Sequence, residues 1–359
     1  MSAPTEPLPP GFRSVELRAN GLRFAAFEGG SGDLALLLHG FPDDARSMLP
    51  LAERFVAAGF RSIAPYLRGY RPSDAAPDGD YGIVSLARDA VGLIDAANAE
   101  TATIVGHDWG AVTAYVAANL SSARVRRIVT MSVPPPRIFF PSFLRHPAQI
   151  RRSWYMGYFQ LPGAAARLAA DDFAFVDRLW RDWSPGWDFP AECLAGVKAT
   201  LGDEEGASHA IGYYRSIPRS LLVPGASAVE TWRIGFARIS IPALVFSGDR
   251  DGCIASEVYS GIEGAFGSLG TIRDSPRRGS LPPARGDGSR RRSRDPVRPL
   301  VTSEWVRATD TFRAALRARR RGDRPRRDRG EKRQAGGRIR RSARSVRARS
   351  APARRSPPS

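Results

Sequence analysis

The sequence predicts an α/β protein built on a mostly parallel sheet, opened by an antiparallel hairpin and interrupted by a helical insertion. Three observations carry this. Short continuous apolar runs recur with helix-compatible stretches between them, which is how parallel strands buried on both faces read. An Asn20-Gly21 pair joins two strand-like segments near the start. About a hundred residues containing several tryptophans and tyrosines separate the fourth apolar run from the fifth.

Taken in order, VELRANGLRFAAFE, residues 15–28, reads as the hairpin, because Asn-Gly readily takes the positive φ values of a tight turn. The parallel strands follow as LALLL (34–38), RSIAPY (61–66), ATIV (102–105), VRRIVTMSV (125–133) and PALVFSG (242–248). Between the last two, DDFAFVDRLWRDW (171–183) has a helical rhythm, and 136–236 is read as a helical cap on the core. The core itself falls in two parts, 11–135 and 237–266. From residue 267 to 359 the periodicity disappears and Arg, Pro, Ser and Gly dominate, a composition that cannot bury enough apolar surface to order itself. That segment is expected to be a disordered tail. Within it Val301, Trp305, Ala308, Phe312 and Leu316 have helical spacing, and no function is attached to them.

The net charge of +18 suggests a nucleic-acid binder until its position is considered. Residues 1–270 hold 25 basic and 28 acidic side chains, whereas 271–359 hold 29 basic and 8 acidic. The folded part is therefore slightly acidic, and no nucleic-acid partner is expected for it. The opening MSAPTEPLPPGF lacks a basic start followed by an apolar run, and no apolar stretch is long enough to span a bilayer. A soluble cytoplasmic protein without a membrane partner is the expectation, with oligomeric state unspecified. Cys193 and Cys253 form no motif with each other or with a histidine, so they are read as ordinary buried thiols. No metal or cofactor is expected.

Chemistry enters with VGHDWGA, residues 105–111. Gly106, Asp108 and Gly110 give the small-x-nucleophile-x-small pattern that follows a strand at a nucleophile elbow, where a strained turn needs small neighbours. The alternative is that Asp108 caps the helix beginning near Gly110. Upstream, a strand ends in His39-Gly40-Phe41-Pro42, where a loop can aim a backbone N–H at the elbow. Downstream, another ends in Asp249 and Asp251.

With these pieces in this order, the chain resembles the α/β-hydrolase superfamily, and within it the epoxide hydrolase and haloalkane dehalogenase branch, over about residues 11–266. The matching segments are HGFP, APYLRGYRPSD (64–74), GHDWGA and GDRDGCI (248–254). The resemblance implies an α/β-hydrolase fold with Asp108 as nucleophile and Asp251 as the acid that orients a histidine. It implies an oxyanion hole from the backbone N–H groups of Phe41 and Trp109. His107 belongs to the motif without being the base. Displacement at the saturated carbon of an epoxide or alkyl halide suits an already ionised carboxylate, and the product is an ester of Asp108. A histidine must then activate water against that ester, whose developing charge the two amides meet. The resemblance also implies two tyrosines on the cap that hydrogen-bond the epoxide oxygen. RSWYMGYFQLPG (152–163) and GYYRS (212–216) match those segments, giving Tyr155 and Tyr214; the alternative is that both only fill the core.

Phe41 stands where dehalogenases of the branch often carry an asparagine halide donor. The expected substrate is therefore a small hydrophobic epoxide, with water, ahead of an alkyl halide; a non-catalytic binder of apolar ligands is the remaining class. The chain's histidines, His39, His107, His146 and His209, all precede Asp251, whereas the resemblance places the base after it in a Gly-His-Phe-like segment. Reading the codons of GSLPPAR (279–285) from their second base admits Gly-His-Phe-Leu-x-x-Glu, the absent segment about where it belongs. A change of reading frame near 266–272 is the expectation, the alternative being an arginine tail that binds nucleic acid through phosphate charge, and with the frame change comes a core lacking its last strand, last helix and catalytic histidine, inactive or limited to a single turnover.

Overall fold

The computed structural model describes residues 7–248, 250–267 and the backbone of 271–272. Asp249, the shifted-frame segment 279–285, the 301–316 stripe and nearly all of the expected tail lie outside the described residues.

Eight strands form one sheet in the order β1-β2-β4-β3-β5-β6-β7-β8. β1 (Phe12–Ala19) and β2 (Leu22–Gly30) form the expected hairpin, with Asn20 and Gly21 at φ 51° and 77°. β2 also runs antiparallel to β4 (Phe60–Pro65). From there β3 (Asp33–Leu38), β5 (Ala102–His107), β6 (Val125–Met131) and β7 (Ala243–Phe246) are all parallel. The expected strands are thus all present. β8 (Thr271–Ile272) adds two residues parallel to β7, so the described sheet continues past Phe266, where the sequence reading ended the core.

The sheet divides the core by the period-2 alternation of its side chains. Ala35, Leu37, Ala64, Val105 and Val129 face α1 (Leu49–Ala57), packing with Leu51, Ala52 and Phe55. Leu36, Leu38, Ile63, Ile104 and Ile128 belong to the opposite face, with α2 (Ile83–Ala96) and α3 (Trp109–Leu120). At β7 the two faces differ: Ala243 and Val245 are buried on the α3 side, while Leu244 and Phe246 on the α1 side remain partly exposed.

Between β6 and β7 lie seven α-helices, α4 (Pro136–Arg145), α5 (Pro147–Arg152), α6 (Trp154–Tyr158), α7 (Ala164–Trp183), α8 (Ala191–Leu201), α9 (Glu204–Leu222) and α10 (Ala226–Glu230), and a π-helical turn at Thr231–Gly235. The expected helical stretch 171–183 sits in α7, whose Ala170–Phe173 leave helical geometry at a kink. Two buried bonds tie this insertion to the loop after β3. Trp180 Nε1–H donates to Pro42 O at 2.8 Å, and Thr200 Oγ1–H donates to Asp44 Oδ2 at 2.8 Å. No helix among the described residues is long and apolar enough to cross a membrane.

Candidate active site

The site gathers at the C-terminal ends of β3, β5 and β7, the end of a parallel sheet where loops converge. Asp108 follows β5 directly with φ 51° and ψ −116°, a conformation that costs a non-glycine residue of order 1–3 kcal/mol. It occupies the cap position of α3, yet its side chain makes no capping bond. Instead Phe41 N–H donates to Asp108 Oδ1 at 2.9 Å, and Trp109 N–H also reaches the carboxylate. The carboxylate thus meets the first amide of its own helix together with an amide of the β3 loop.

The small neighbours are required by contact. A Cβ on Gly106 would lie 2.1 Å from Gly110 O, and one on Gly110 would lie 2.1 Å from Leu38 O. One on Gly40 would meet Asp108 Cβ at 2.4 Å, so the β3 loop can close on the elbow only without a side chain there.

Burial pushes the Asp108 carboxyl up to about 6; the Phe41 and Trp109 amides pull it down, and the charge of Asp251 pushes it up further. Asp251 is likewise raised to about 6 by burial, against the N–H groups of Ile254 and Cys253, which donate to its Oδ1 at 2.9 and 2.7 Å.

Asp108, Trp109, Tyr155 and Tyr214 line one apolar cavity, walled by Val133, Phe139, Ile217 and Leu221 among others. The structure also separates the expected tyrosines from their neighbours. Tyr213 turns its hydroxyl to Arg68 O at 2.7 Å, and Tyr158 stacks on Phe175 at 5.4 Å; neither lines the cavity. Tyr155 Oη lies 3.3 Å from Cys253 Sγ, whereas Tyr214 Oη is buried with no hydrogen-bond acceptor among the described residues. Phe41 presents a ring, 5.3 Å from that of Tyr214 and edge-on to it.

None of the four histidines lines the cavity. His39 is fully buried with both ring nitrogens engaged, Nδ1 with Gly40 O at 2.9 Å and Nε2 accepting from Leu67 N–H at 3.0 Å. Burial holds His39 and His107 down at about 4. His146 joins α4 to α5, and His209 bonds Tyr81 Oη at 2.8 Å. Among the described residues no cluster of three His, Cys, Asp or Glu side chains could hold a metal ion.

Two features escaped the sequence. Cys253 was read as an ordinary buried thiol, and it is buried, but it touches Tyr155; Cys193 is only half-buried. The apolar wall came from no motif, since Phe139 and Leu221 belong to helices 59 or more residues apart in the chain by their numbering.

The family profile described as the alpha/beta hydrolase fold matches residues 35–275. The chain is similar to Epoxide hydrolase A of Mycobacterium tuberculosis, 32% identical over 307 residues that cover 73% of this chain and 89% of that protein. It is 33% identical to Epoxide hydrolase 4 of Homo sapiens over 213 residues, 56% of this chain and 58% of that one. Among solved structures, Epoxide Hydrolase A from Mycobacterium thermoresistibile is 28% identical with a TM-score of 0.56, covering 74% of this chain and 92% of that one.

Proposed function

The chain belongs to the α/β-hydrolase family and is an epoxide hydrolase-like enzyme, and from that premise we propose that it opens a small hydrophobic epoxide by forming an ester at Asp108 and then stops. The observation that carries the reading is the Phe41 N–H bond to Asp108 Oδ1, 2.9 Å long, at a cavity also lined by two tyrosines. The Phe41 amide holds one carboxylate oxygen; the other attacks an epoxide carbon. The C–O bond of the ring breaks as the ester bond forms, and a tyrosine proton meets the departing oxygen. The helices of 136–236 serve as the cap and supply both tyrosines. The Phe41 ring offers no donor to a halide, which favours the epoxide over the alkyl halide.

The second half-reaction needs water activated beside the ester, and the Phe41 and Trp109 amides at the carboxylate would stabilise its tetrahedral intermediate. Asp251 is the acid available to orient a base. None of the four histidines is in place to be that base, so the ester is expected to persist.

Incubation with styrene oxide is expected to add the mass of one epoxide per chain, mapped by fragmentation to Asp108. Catalytic diol release with no adduct would overturn the arrested-ester reading. Because the attacking group is the ionised carboxylate, whose acidity lies near 6, the rate of adduct formation should climb with pH and reach half its plateau near pH 6. A rate that falls steadily from pH 5 to 8 would exclude Asp108 as the nucleophile.

A further inference from the structure

The two cavity phenols differ in what holds their protons. Tyr155 and Tyr214 are both buried, at 3% exposure each, and both line the cavity beside Asp108. Tyr155 Oη is 3.3 Å from Cys253 Sγ. A phenol is a better donor than a thiol and sulfur is a weak acceptor, so the Tyr155 proton rests on the thiol in a bond that an oxygen acceptor can displace. Tyr214 Oη has no such arrangement. The Trp109 side chain approaches it, but an indole N–H can only donate, and no hydrogen-bond acceptor for the Tyr214 proton is found among the described residues. A buried hydroxyl in that condition is costly to the fold and is a donor waiting for an acceptor.

We infer that Tyr214 is the primary donor to the substrate oxygen, and that Cys253 is a positioning residue that keeps Tyr155 in reserve, joining the oxygen only by giving up the thiol. This rests on the epoxide reading for the nature of the oxygen, an uncharged acceptor. The arrangement favours ligands whose oxygen approaches the Tyr214 side first. It also makes Cys253, two residues beyond Asp251, a determinant of affinity without contact with the ligand.

The test uses the full chain and phenylacetamide, a neutral, unreactive ligand with one carbonyl oxygen, titrated calorimetrically at pH 8. Tyr214→Phe is expected to weaken binding about tenfold, and Tyr155→Phe about threefold or less, within the range of single neutral hydrogen bonds. Cys253→Ala frees the Tyr155 hydroxyl and is expected to tighten binding about threefold. In a Tyr155→Phe background that gain should vanish, which a merely structural thiol would not cause. Thermal melts without ligand give a second readout: Tyr214→Phe removes an unsatisfied group and should raise the Tm, and Tyr155→Phe should not. Equal losses from the two phenylalanine variants, or weakening by Cys253→Ala in both backgrounds, would overturn the assignment. So would failure of the unaltered chain to bind the amide. The epoxide reading is judged separately, by the Asp108 adduct.

Discussion

Asp108→Asn is expected to form no adduct with styrene oxide and, at pH 8, to melt several degrees higher than the unaltered chain. The two effects share one cause. Burial raises the Asp108 carboxyl to about 6 from its ordinary 3.8. Below about pH 4 folded and unfolded chains are both protonated there, and the group is neutral to stability. Between about 4 and 6 the folded chain keeps a proton that the unfolded chain has released, so stability falls as pH rises; above 6 the deficit is constant. At roughly 1.4 kcal/mol per pH unit the deficit is of order 3 kcal/mol. Asparagine keeps an oxygen for the Phe41 N–H and carries no charge, so it removes the deficit. Melting curves at pH 4 and pH 8 check this. A variant no more stable than the parent at pH 8, or stabilised equally at both pH values, would refute the electrostatic account.

Alanine at Gly106 or Gly110 should destabilise the chain by at least about 3 kcal/mol, the upper range for overpacking. In each case the new methyl meets a main-chain carbonyl at 2.1 Å, and neither carbonyl can move without shifting β3 or the first turn of α3. Gly196 in α8 provides the control, because a Cβ there meets nothing within 4 Å. Alanine at that position should be neutral or stabilising by up to about 1 kcal/mol, the helix-propensity difference. Urea unfolding of the three variants separates them, and a Gly106→Ala chain as stable as Gly196→Ala would show that the elbow has room that the structure denies.

What was legible in the sequence follows from which forces are local. The strands were readable because burial on both faces demands continuous apolar runs, and the hairpin because Asn20 and Gly21 must accept positive φ. The elbow was readable because close backbone approach admits only glycine, so Gly106 and Gly110 signal a contact they make with carbonyls. The tyrosines were legible only through resemblance: nothing in the order Tyr213-Tyr214 says which hydroxyl turns to Arg68 and which to the cavity. The Cys253 contact was not legible, since its partner lies 98 residues away and a lone cysteine has no periodicity. The same holds for the apolar wall, to which α3, α4 and α9 each bring residues only in the folded chain.

The loop after β3 links places that the chain keeps far apart. Its Phe41 amide grips the Asp108 carboxylate, while Pro42 and Asp44 are held by Trp180 of α7 and Thr200 of α8. The carboxylate's contact and the seating of two helices therefore share one short loop. Any free energy by which a ligand at Asp108 steadies those helices is the same free energy by which the helices strengthen its binding.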